Sequence, residues 1–372
     1  MRLNTSVCEL LGIKYPIVLG GMGGAGTPLL AAAVSNAGGL GVLGAADCGA
    51  SELRENIAEV RRLTDKPFGV NTLLPASVRR GVEAGAEMQS LQDRLSQHHA
   101  FAREFMRREG LLEPTAVQHA QLQGLGRPNR EGPVPFTQEF FEQQMEVIIE
   151  ERVPVYASGL GSPGPWMDRL HANGTCVMAL VGTPSQARQL ADCGLDIIIA
   201  QGSDAGGHNS AIGTMSLVPQ VVDAVGKVPV LAAGGIADGR GVAAALMLGA
   251  AGVWVGSVFL ATPEANILDF QKRAIIDGTA ESTTVSLGWT GKPARVLRSK
   301  WTEAWKKSDI DPLPMPYQQM ISWPVMAAAS LAGRIDIAPG TAGQGIGLVH
   351  EIKPAGEVVA SLVSEAEAVL QY

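Results

Sequence analysis

The chain has few cysteines, and they form no recognisable motif. The 372-residue sequence contains four, Cys8, Cys48, Cys176 and Cys193, and none of them belongs to a Cys-x-x-Cys pair. Closely spaced cysteines are typical of zinc sites and, in short secreted chains, of disulfide frameworks. The sequence therefore predicts neither a metal site nor structural disulfides.

Long apolar runs and clusters of basic residues are also missing. The opening residues "MRLNTSVCELLGIKYP" lack the apolar centre of a signal peptide, and no span of 18 apolar residues occurs. The formal net charge is −7, and no stretch mixes Lys and Arg with aromatic side chains, as nucleic-acid-binding surfaces do. We therefore expect a cytoplasmic protein that binds neither nucleic acid nor membranes.

Glycine, in contrast, is abundant. The chain has 45 glycines, about 12% of its residues, against about 7% in an average protein. They cluster at the ends of apolar runs. Because glycine has no Cβ, such loops let the backbone approach a ligand closely. Hydrophobic residues make up 46% of the chain, which is enough for a sizeable core.

Short aliphatic runs alternate with longer segments of helical period. A typical helix is "TPLLAAAVSNAG", with Thr27 as N-cap, Pro28 in the first turn and Gly38 as terminator. Parallel strands joined by such crossover helices predict an α/β fold, the (β/α)₈ TIM barrel, with a doubly wound open sheet as the alternative. The eight predicted strands are residues 16–21, 39–44, 68–73, 153–159, 175–181, 196–202, 228–235 and 252–260.

Two segments interrupt this alternation. Residues 80–145 are too long for one crossover helix, so we expect a helical insertion after the third strand. That end of a barrel strand is the catalytic face, which favours a lid or a homodimer contact. Residues 262–372 are predicted to be a helical extension that completes the barrel and covers the active site. The barrel core is then 1–79 and 146–261.

Glycines after the last two strands predict an anion site. The seventh strand ends at Gly234 and Gly235, before a helix starting near Asp238, and the eighth contains Gly256 and Ser257. Backbone N–H groups and a helix N-terminus attract phosphate, and these two loops are its usual place in TIM barrels. Tight turns without a ligand are the alternative reading of either pair alone.

Other strand ends have residues suited to a flat ring. The loop "VLGGMGGAG" places Gly21, Met22 and Gly23 after the first strand, but it lacks the context of a dinucleotide-binding motif. Asn71 closes the third strand, where an Asx turn before Pro75 is the other interpretation. Gln201 ends the sixth strand and could reach ring heteroatoms.

These pieces together resemble the nitronate monooxygenase family, formerly the 2-nitropropane dioxygenases. That family has close relatives among FMN-dependent enoyl-ACP reductases and NAD(P)H:quinone reductases. The resemblance rests on "PIVLGGMGG", "FGVNTL", "AQGSDAGGH", "VLAAGGIADG" and "VGSVFLAT", and later on "TGKPARVLRSKW" and "GTAGQGIGLVHEIKPAGEVV". It covers nearly the whole chain. Two departures are the long 80–145 insertion and Gly-Gly-Met where a Pro-Met is often found.

The resemblance implies an FMN-binding TIM barrel. FMN would place its phosphate at Gly234, Gly235, Gly256 and Ser257, with Gly21, Met22, Gly23, Asn71, Gln201 and Gly202 along the ring. Gly206 and Gly207 would let the backbone pass close to the flavin. His208 would lie by the substrate as a base or an anion partner, because a neutral imidazole suits either role. The other histidines, namely His98, His99, His119, His171 and His350, fall in probable helices or surface segments.

The implied reaction is oxidation of an alkyl nitronate, or of a nitroalkane deprotonated by His208. Dioxygen would complete the conversion to a carbonyl compound and nitrite, with the flavin performing the redox step. Three alternatives stay open: an FMN-dependent enoyl-thioester or quinone reductase using NAD(P)H, a phosphate-binding barrel enzyme without flavin, and a non-catalytic binding protein.

Overall fold

A barrel of parallel strands forms the centre of the molecule. The computed structural model describes residues 3–46, 48–74, 86–113 and 137–371, with side chains from residue 93 on in the helix that begins at Ala86. The strands are β1 (Ile17–Leu19), β2 (Gly41–Gly44), β3 (Phe68–Thr72), β4 (Val155–Ser158), β5 (Cys176–Val181), β6 (Ile197–Gln201), β7 (Gly207–His208), β8 (Val230–Ala233), β9 (Gly252–Val255), β10 (Thr283–Ser286) and β11 (Ala294–Leu297).

Helices follow most barrel strands and occur in the insertion and in the extension, and the predicted helical extension also contains the strands β10 and β11. None of the described helices is long and apolar enough to cross a membrane. The helices are α1 (Ser6–Leu11), α2 (Pro28–Asn36), α3 (Ala50–Leu63), α4 (Ala86–Glu109), α5 (Gln138–Glu150), α6 (Met167–Ala172), α7 (Pro184–Asp192), α8 (Thr214–Val225), α9 (Gly239–Met247), α10 (Ser257–Leu260), α11 (Asp269–Ile276), α12 (Lys300–Lys306), α13 (Tyr317–Leu331) and α14 (Ala355–Leu370).

Eight of the strands form one parallel sheet that nearly closes on itself. Its order is β1-β9-β8-β6-β5-β4-β3-β2, and β7, β10 and β11 form a separate small sheet. A parallel bridge between Val18 and Leu40 joins the two outer strands of the large sheet. The N–H of Leu19 donates to the carbonyl of Leu40 at 2.9 Å. The predicted TIM barrel is confirmed, and the doubly wound alternative is wrong.

The barrel strands are buried on both faces, which explains their continuous aliphatic runs. In β6, Ile197 and Ile199 belong to one buried cluster, whereas Ile198 and Ala200 belong to another. Alternate side chains of a strand point to opposite faces, so one set fills the barrel and the other packs under the helices. The local caps also agree with the sequence: Thr27 accepts a hydrogen bond from the N–H of Leu30 at the start of α2.

One predicted strand end is wrong. The sequence predicts an eighth barrel strand over residues 252–260. In the structure this strand, β9, ends at Val255, and Ser257–Leu260 forms the short helix α10. The sequence "SVFL" has the β-branched and aromatic composition of a strand. Its side chains Val258, Phe259 and Leu260 are nevertheless buried in the structure. Burial alone does not distinguish a short helix from a strand, and Gly256 marks the change of direction.

The insertion and the extension pack against each other. The helix α4, from the insertion, buries Phe105 against Trp301 of α12, with the ring centroids 5.0 Å apart. Glu109 at the end of α4 accepts hydrogen bonds from Lys300 and Arg334 of the extension. The loop "GLGRPNREGPVP" lies outside the described residues, and the lid role of residues 80–145 and the division into core, insertion and extension remain predictions.

Two helices outside the predicted core complete the barrel. The helix α5 crosses the expected boundary at residue 145 and packs against α3 and β3, so it is the crossover helix between β3 and β4. The last helix, α14, packs against α9 and α2. It therefore covers the barrel between the last and the first βα units.

We expect Phe105→Ala to destabilise the contact between insertion and extension by about 3–5 kcal/mol, the usual cost of deleting a buried phenylalanine side chain. Phe105 is 2% exposed, whereas Leu112, three residues beyond α4, is 86% exposed, which makes Leu112→Ala a matched control. Urea denaturation and hydrogen exchange of α4 measure the effect. Equal, small losses in both variants would contradict this packing.

Candidate active site

A large cavity lies at the carboxyl ends of the barrel strands. Its volume is about 1970 Å³, larger than the roughly 300–1000 Å³ of most ligand pockets. Residues that follow or end β1, β3, β6, β8 and β9 line it together with residues of the extension. The predicted site residues in its wall are Gly21, Met22, Gly23, Asn71, Gln201, Gly207, His208, Gly234, Gly235, Gly256 and Ser257.

Gly202 is the one predicted site residue that does not line this cavity. It is buried, and a Cβ at its position would overlap the backbone and hydroxyl of Thr214 at the start of α8. Its lack of a side chain lets α8 pack against the end of β6. The sequence predicts Gly202 as a ligand-binding residue because it is a glycine at a strand end. In the structure, its small size allows helix packing instead.

Gly21 and Asn71 fit together across the mouth of the barrel. A Cβ on Gly21 would overlap the side chain of Asn71, so the glycine makes room for the amide. The Asn71 Nδ2 donates to the carbonyl of Ala157 in β4 at 3.0 Å. This bond runs to a neighbouring strand and not within an Asx turn. The Oδ1 of Asn71 has no donor in the described part of the chain.

Gln201 holds the loop that carries His208. Its Nε2 donates to the carbonyl oxygen of His208 at 2.6 Å. The backbone of Gly207 and His208 also pairs with Arg295 and Ala294 of β11. The histidine is therefore fixed from the barrel side and from the extension side. The side-chain oxygen of Gln201 has no donor among the described residues, and Gln201 lines the cavity.

The imidazole of His208 is neutral in this environment. Its Nε2 lies 2.8 Å from the Oγ1 of Thr290. Burial, and secondarily the positive charge of Lys292, lower its pKa to about 4. A buried cation costs desolvation energy, and a nearby cation adds repulsion, so both effects favour the neutral ring. At neutral pH this side chain can accept or donate a hydrogen bond without carrying charge.

Lys292 is a site residue that sequence reasoning missed. It lines the cavity, and partial burial lowers its pKa. No carboxylate within the described ranges is close enough to form a salt bridge with it. Lys292 belongs to the segment "TGKPAR", which does not follow a predicted barrel strand, whereas the predicted site residues all lie at or after strand ends. Thr290 and Lys292 reach the site because β11 pairs with β7.

The cavity wall has a charge opposite to that of the whole chain. Its charged lining residues, among those described, are Arg94 and Lys292, and no Asp or Glu belongs to the described lining. The chain has 36 acidic and 29 basic residues. An acid-free, cationic wall in an acidic protein favours anionic ligands.

The phosphate-site prediction is changed in one respect. The helix α9 does not offer free N–H groups, because Asp238 accepts from Arg240 and Gly241, and Glu365 accepts from Gly239. Negative charge already occupies that helix N-terminus. Anion donors must instead come from the loops themselves. The N–H groups of Gly235 and Ser257 have no acceptor in the described part of the chain.

The other histidines that the structure describes lie away from the cavity wall. His98 is buried, with Nδ1 and Nε2 near the carbonyls of Arg94 and Asp311, and its ring stacks on Trp305. His171 contacts Asp196, and His99 and His350 are exposed. His119 lies outside the described residues.

The chain is similar in sequence and in fold to known proteins. The chain matches the family model described as nitronate monooxygenase over residues 4–365. A putative monooxygenase of Mycobacterium tuberculosis is 37% identical over 373 residues, which cover 98% of this chain and 96% of that protein.

Two solved structures share the fold over almost their full length. Nitroalkane oxidase from Streptomyces ansochromogenes superposes with a TM-score of 0.80 at 30% identity, covering 98% of this chain and 99% of that one. FabK from Thermotoga maritima gives a TM-score of 0.71 at 32% identity, covering 99% of this chain and 97% of that one.

We expect the imidazole of His208 to stay neutral down to about pH 4 in the folded protein, against 6.5 for an unperturbed histidine. Between these pH values the unfolded chain binds more protons, so the free energy of unfolding should rise with pH and then level off. Nitrogen NMR of histidine-labelled protein measures the pKa, with His208→Gln for assignment. A midpoint near 6.5 would contradict the described burial.

Proposed function

Because the chain belongs to the nitronate monooxygenase family, we propose that it oxidises alkyl nitronates by dioxygen to carbonyl compounds and nitrite, with FMN as cofactor. The protein is an oxidoreductase, and the fold family is one of flavoenzymes. The proposal consists of three specific points: the flavin is FMN, the substrate is a nitronate and the oxidant is dioxygen.

The cavity has features that suit a flavin mononucleotide. The N–H groups of Gly235 and Ser257, which have no acceptor among the described residues, suit one phosphate. The amide oxygens of Asn71 and Gln201, which have no donor among the described residues, could accept from a ring N–H, and the glycines after β1 leave the face of a flat ring unobstructed. When bound, the flavin would supply the redox chemistry, which no side chain in this wall can perform.

The charge of the wall is the observation that carries the choice of substrate. A nitronate is an anion, with its negative charge spread over the carbon and the nitro oxygens, whereas the parent nitroalkane is neutral. Lys292 has no salt-bridge partner among the described residues and lines the same cavity as His208, so its ammonium group can hold a nitronate oxygen. The absence of carboxylates from the described lining removes the repulsion that an anion would meet elsewhere on this chain.

The protein's own groups then have separate tasks. Lys292 attracts and orients the anion, and the neutral ring of His208 gives it a polar neighbour without competing charge. Met22 and the backbone of Gly206 and Gly207 limit the space around the reacting carbon. The buried apolar side chains of α13 that line the cavity, among them Met326 and Ala327, would pack against the substrate's alkyl part.

We expect Ser257→Asp to reduce FMN retention at least tenfold, because a carboxylate would stand beside the phosphate, and Ser257→Asn to retain it. The two variants differ only in charge, and either side chain can accept the N–H of Gly343 as the Ser257 hydroxyl does at 2.8 Å. Absorbance spectra and chromatography of heat-released cofactor against FMN and FAD standards give the result. Equal retention in both variants, or FAD in the wild type, would contradict the assignment.

We expect Lys292→Met to lower kcat/KM for a nitronate by about 10–100-fold, since a hydrogen bond to a charged group contributes about 1.5–3 kcal/mol. Lys292→Arg keeps the charge and should lose less. Nitrite release from ethylnitronate in air, compared with argon, measures turnover. Flavin bleaching by NADH without nitronate, with no nitrite in any arm, would instead support the reductase, which the FabK likeness keeps as a second candidate.

A further inference from the structure

One large aromatic side chain lies where the interior of the barrel meets the cavity. Trp254 of β9 is 6% exposed and belongs to the buried cluster that fills the barrel, and the same residue lines the cavity. In the sheet it lies between Val18 of β1 and Ala233 of β8. Because the barrel encloses the rest of the side chain, its small exposed part faces the cavity. Trp254 therefore forms the floor of the site.

The indole N–H of Trp254 lies beside the end of β1. A Cβ on Gly20 would be 3.2 Å from the Trp254 Nε1. A Cβ on Gly21, the next residue, would overlap the side chain of Asn71. Two adjacent glycines thus make room for two polar side chains, and both of these line the cavity. A donor, the indole N–H, and an acceptor, the amide oxygen, are therefore neighbours at this end of the barrel.

The N–H of Trp254 has no acceptor among the described residues. A buried indole N–H generally has a hydrogen-bond partner, and its loss is destabilising. Trp301, for example, donates from Nε1 to the carbonyl of Gly288 at 3.0 Å. The Nε1 of Trp305 has no partner either, but that residue packs between insertion and extension and does not line the cavity. At Trp254 the donor belongs to the cavity wall, where a ligand can accept from it.

The polar groups of this wall offer a donor together with acceptors. The side-chain nitrogens of Asn71 and Gln201 already donate to the carbonyls of Ala157 and His208. The two amide oxygens therefore remain as acceptors, and the Trp254 N–H is a donor in the same wall. This combination complements a cyclic imide, in which an N–H lies between two carbonyl groups. The pyrimidine ring of a flavin is such an imide.

We propose that Trp254 is a cofactor-binding residue whose indole N–H donates a hydrogen bond to a carbonyl oxygen of the flavin's pyrimidine ring. The inference rests on the flavin of the proposed function and goes beyond it, because it adds a donor from the barrel interior to the loops and amides assigned above. A reduced flavin carries more negative charge in this ring, spread over its nitrogens and carbonyl oxygens. Since hydrogen bonds to charged groups are the stronger ones, the donor stabilises the reduced form more than the oxidised form.

Nitrogen NMR of the tryptophan-labelled full chain tests the contact directly. The six tryptophans give six indole signals, and the signal of Trp254 is assigned by its loss in Trp254→Phe. We expect its proton signal to move downfield when flavin-free protein is titrated with FMN or with riboflavin, because the two share the ring. The signal of Trp305, also without a partner but away from the cavity, is the matched control and should stay in place. Flavin binding that leaves the Trp254 signal unmoved, or moves it upfield, would overturn the proposal.

Binding constants separate the ring contact from the phosphate contact. Trp254→Phe keeps an aromatic ring and removes the N–H. We expect it to weaken binding of FMN and of riboflavin by the same factor, about 2–10-fold for one hydrogen bond to a neutral group. Ser257→Asp should weaken FMN alone, because riboflavin has no phosphate. Wild-type affinity of Trp254→Phe for riboflavin would contradict the hydrogen bond.

The reduction potential of the holoenzyme is a readout that a merely structural role would not move. Loss of the donor should lower the potential of bound FMN in Trp254→Phe. The change is about 30 mV for each tenfold difference between the losses of affinity for reduced and for oxidised flavin. Trp254→Gln keeps an N–H donor and should restore most of the potential, and Trp305→Phe should leave it unchanged. An unchanged potential in Trp254→Phe would show that the indole only fills the barrel.

Failure of the proposed function gives a different pattern. A protein that binds neither FMN nor riboflavin would overturn the flavin assignment and the role of Trp254 together. A protein that binds FMN with the expected NMR shift and potential, but oxidises no nitronate, would contradict only the substrate proposed above and would support the role of Trp254.

Discussion

The contact between β1 and β2 closes the barrel, and the whole site depends on that closure. The N–H of Leu19 and the carbonyl of Leu40 meet at 2.9 Å. The loop after β1 then lies so close to β2 that a Cβ on Gly44 would overlap the carbonyl of Met22. In an open sheet, β1 and β2 would be edge strands, and the loop after β1 would face solvent. Closure instead brings Gly21 against Asn71 and places both in one cavity wall.

The second constraint is electrostatic and comes from the extension. Barrel strands contribute backbone and amides to the site, whereas the cation next to His208 arrives from the loop before β11. Burial raises the cost of charge on both side chains, and their mutual repulsion adds to it. The two side chains respond differently to this free-energy cost. The pKa of His208 falls to about 4, so its ring is neutral at pH 7, and Lys292 remains the cation. The result is one positive charge beside one neutral polar ring.

Much of the barrel could be predicted from the sequence because its signals are local. The aliphatic run Ile197–Ile199 predicts a strand buried on both faces without reference to distant residues. In the same way, Thr27 predicts the start of α2 from the local sequence. Glycines at strand ends likewise predicted part of the cavity wall, namely the segments after β1, β8 and β9. The same pattern, a glycine at a strand end, also predicts Gly202 as a lining residue, but Gly202 does not line the cavity. In the sequence, a glycine that makes room for a helix cannot be distinguished from one that makes room for a ligand.

Lys292 and Thr290 could not be found in that way. They lie more than 80 positions after His208 in the chain, on a turn with no strand of the barrel before it, and only the two-residue pairing of β7 with β11 brings them close. Such a pairing has no periodic pattern that a sequence would reveal. The extension therefore contributes side chains to the cavity wall. In the proposed function, selection of an anionic substrate would depend on the contact between barrel and extension, because the glycine loops of the barrel carry no charge.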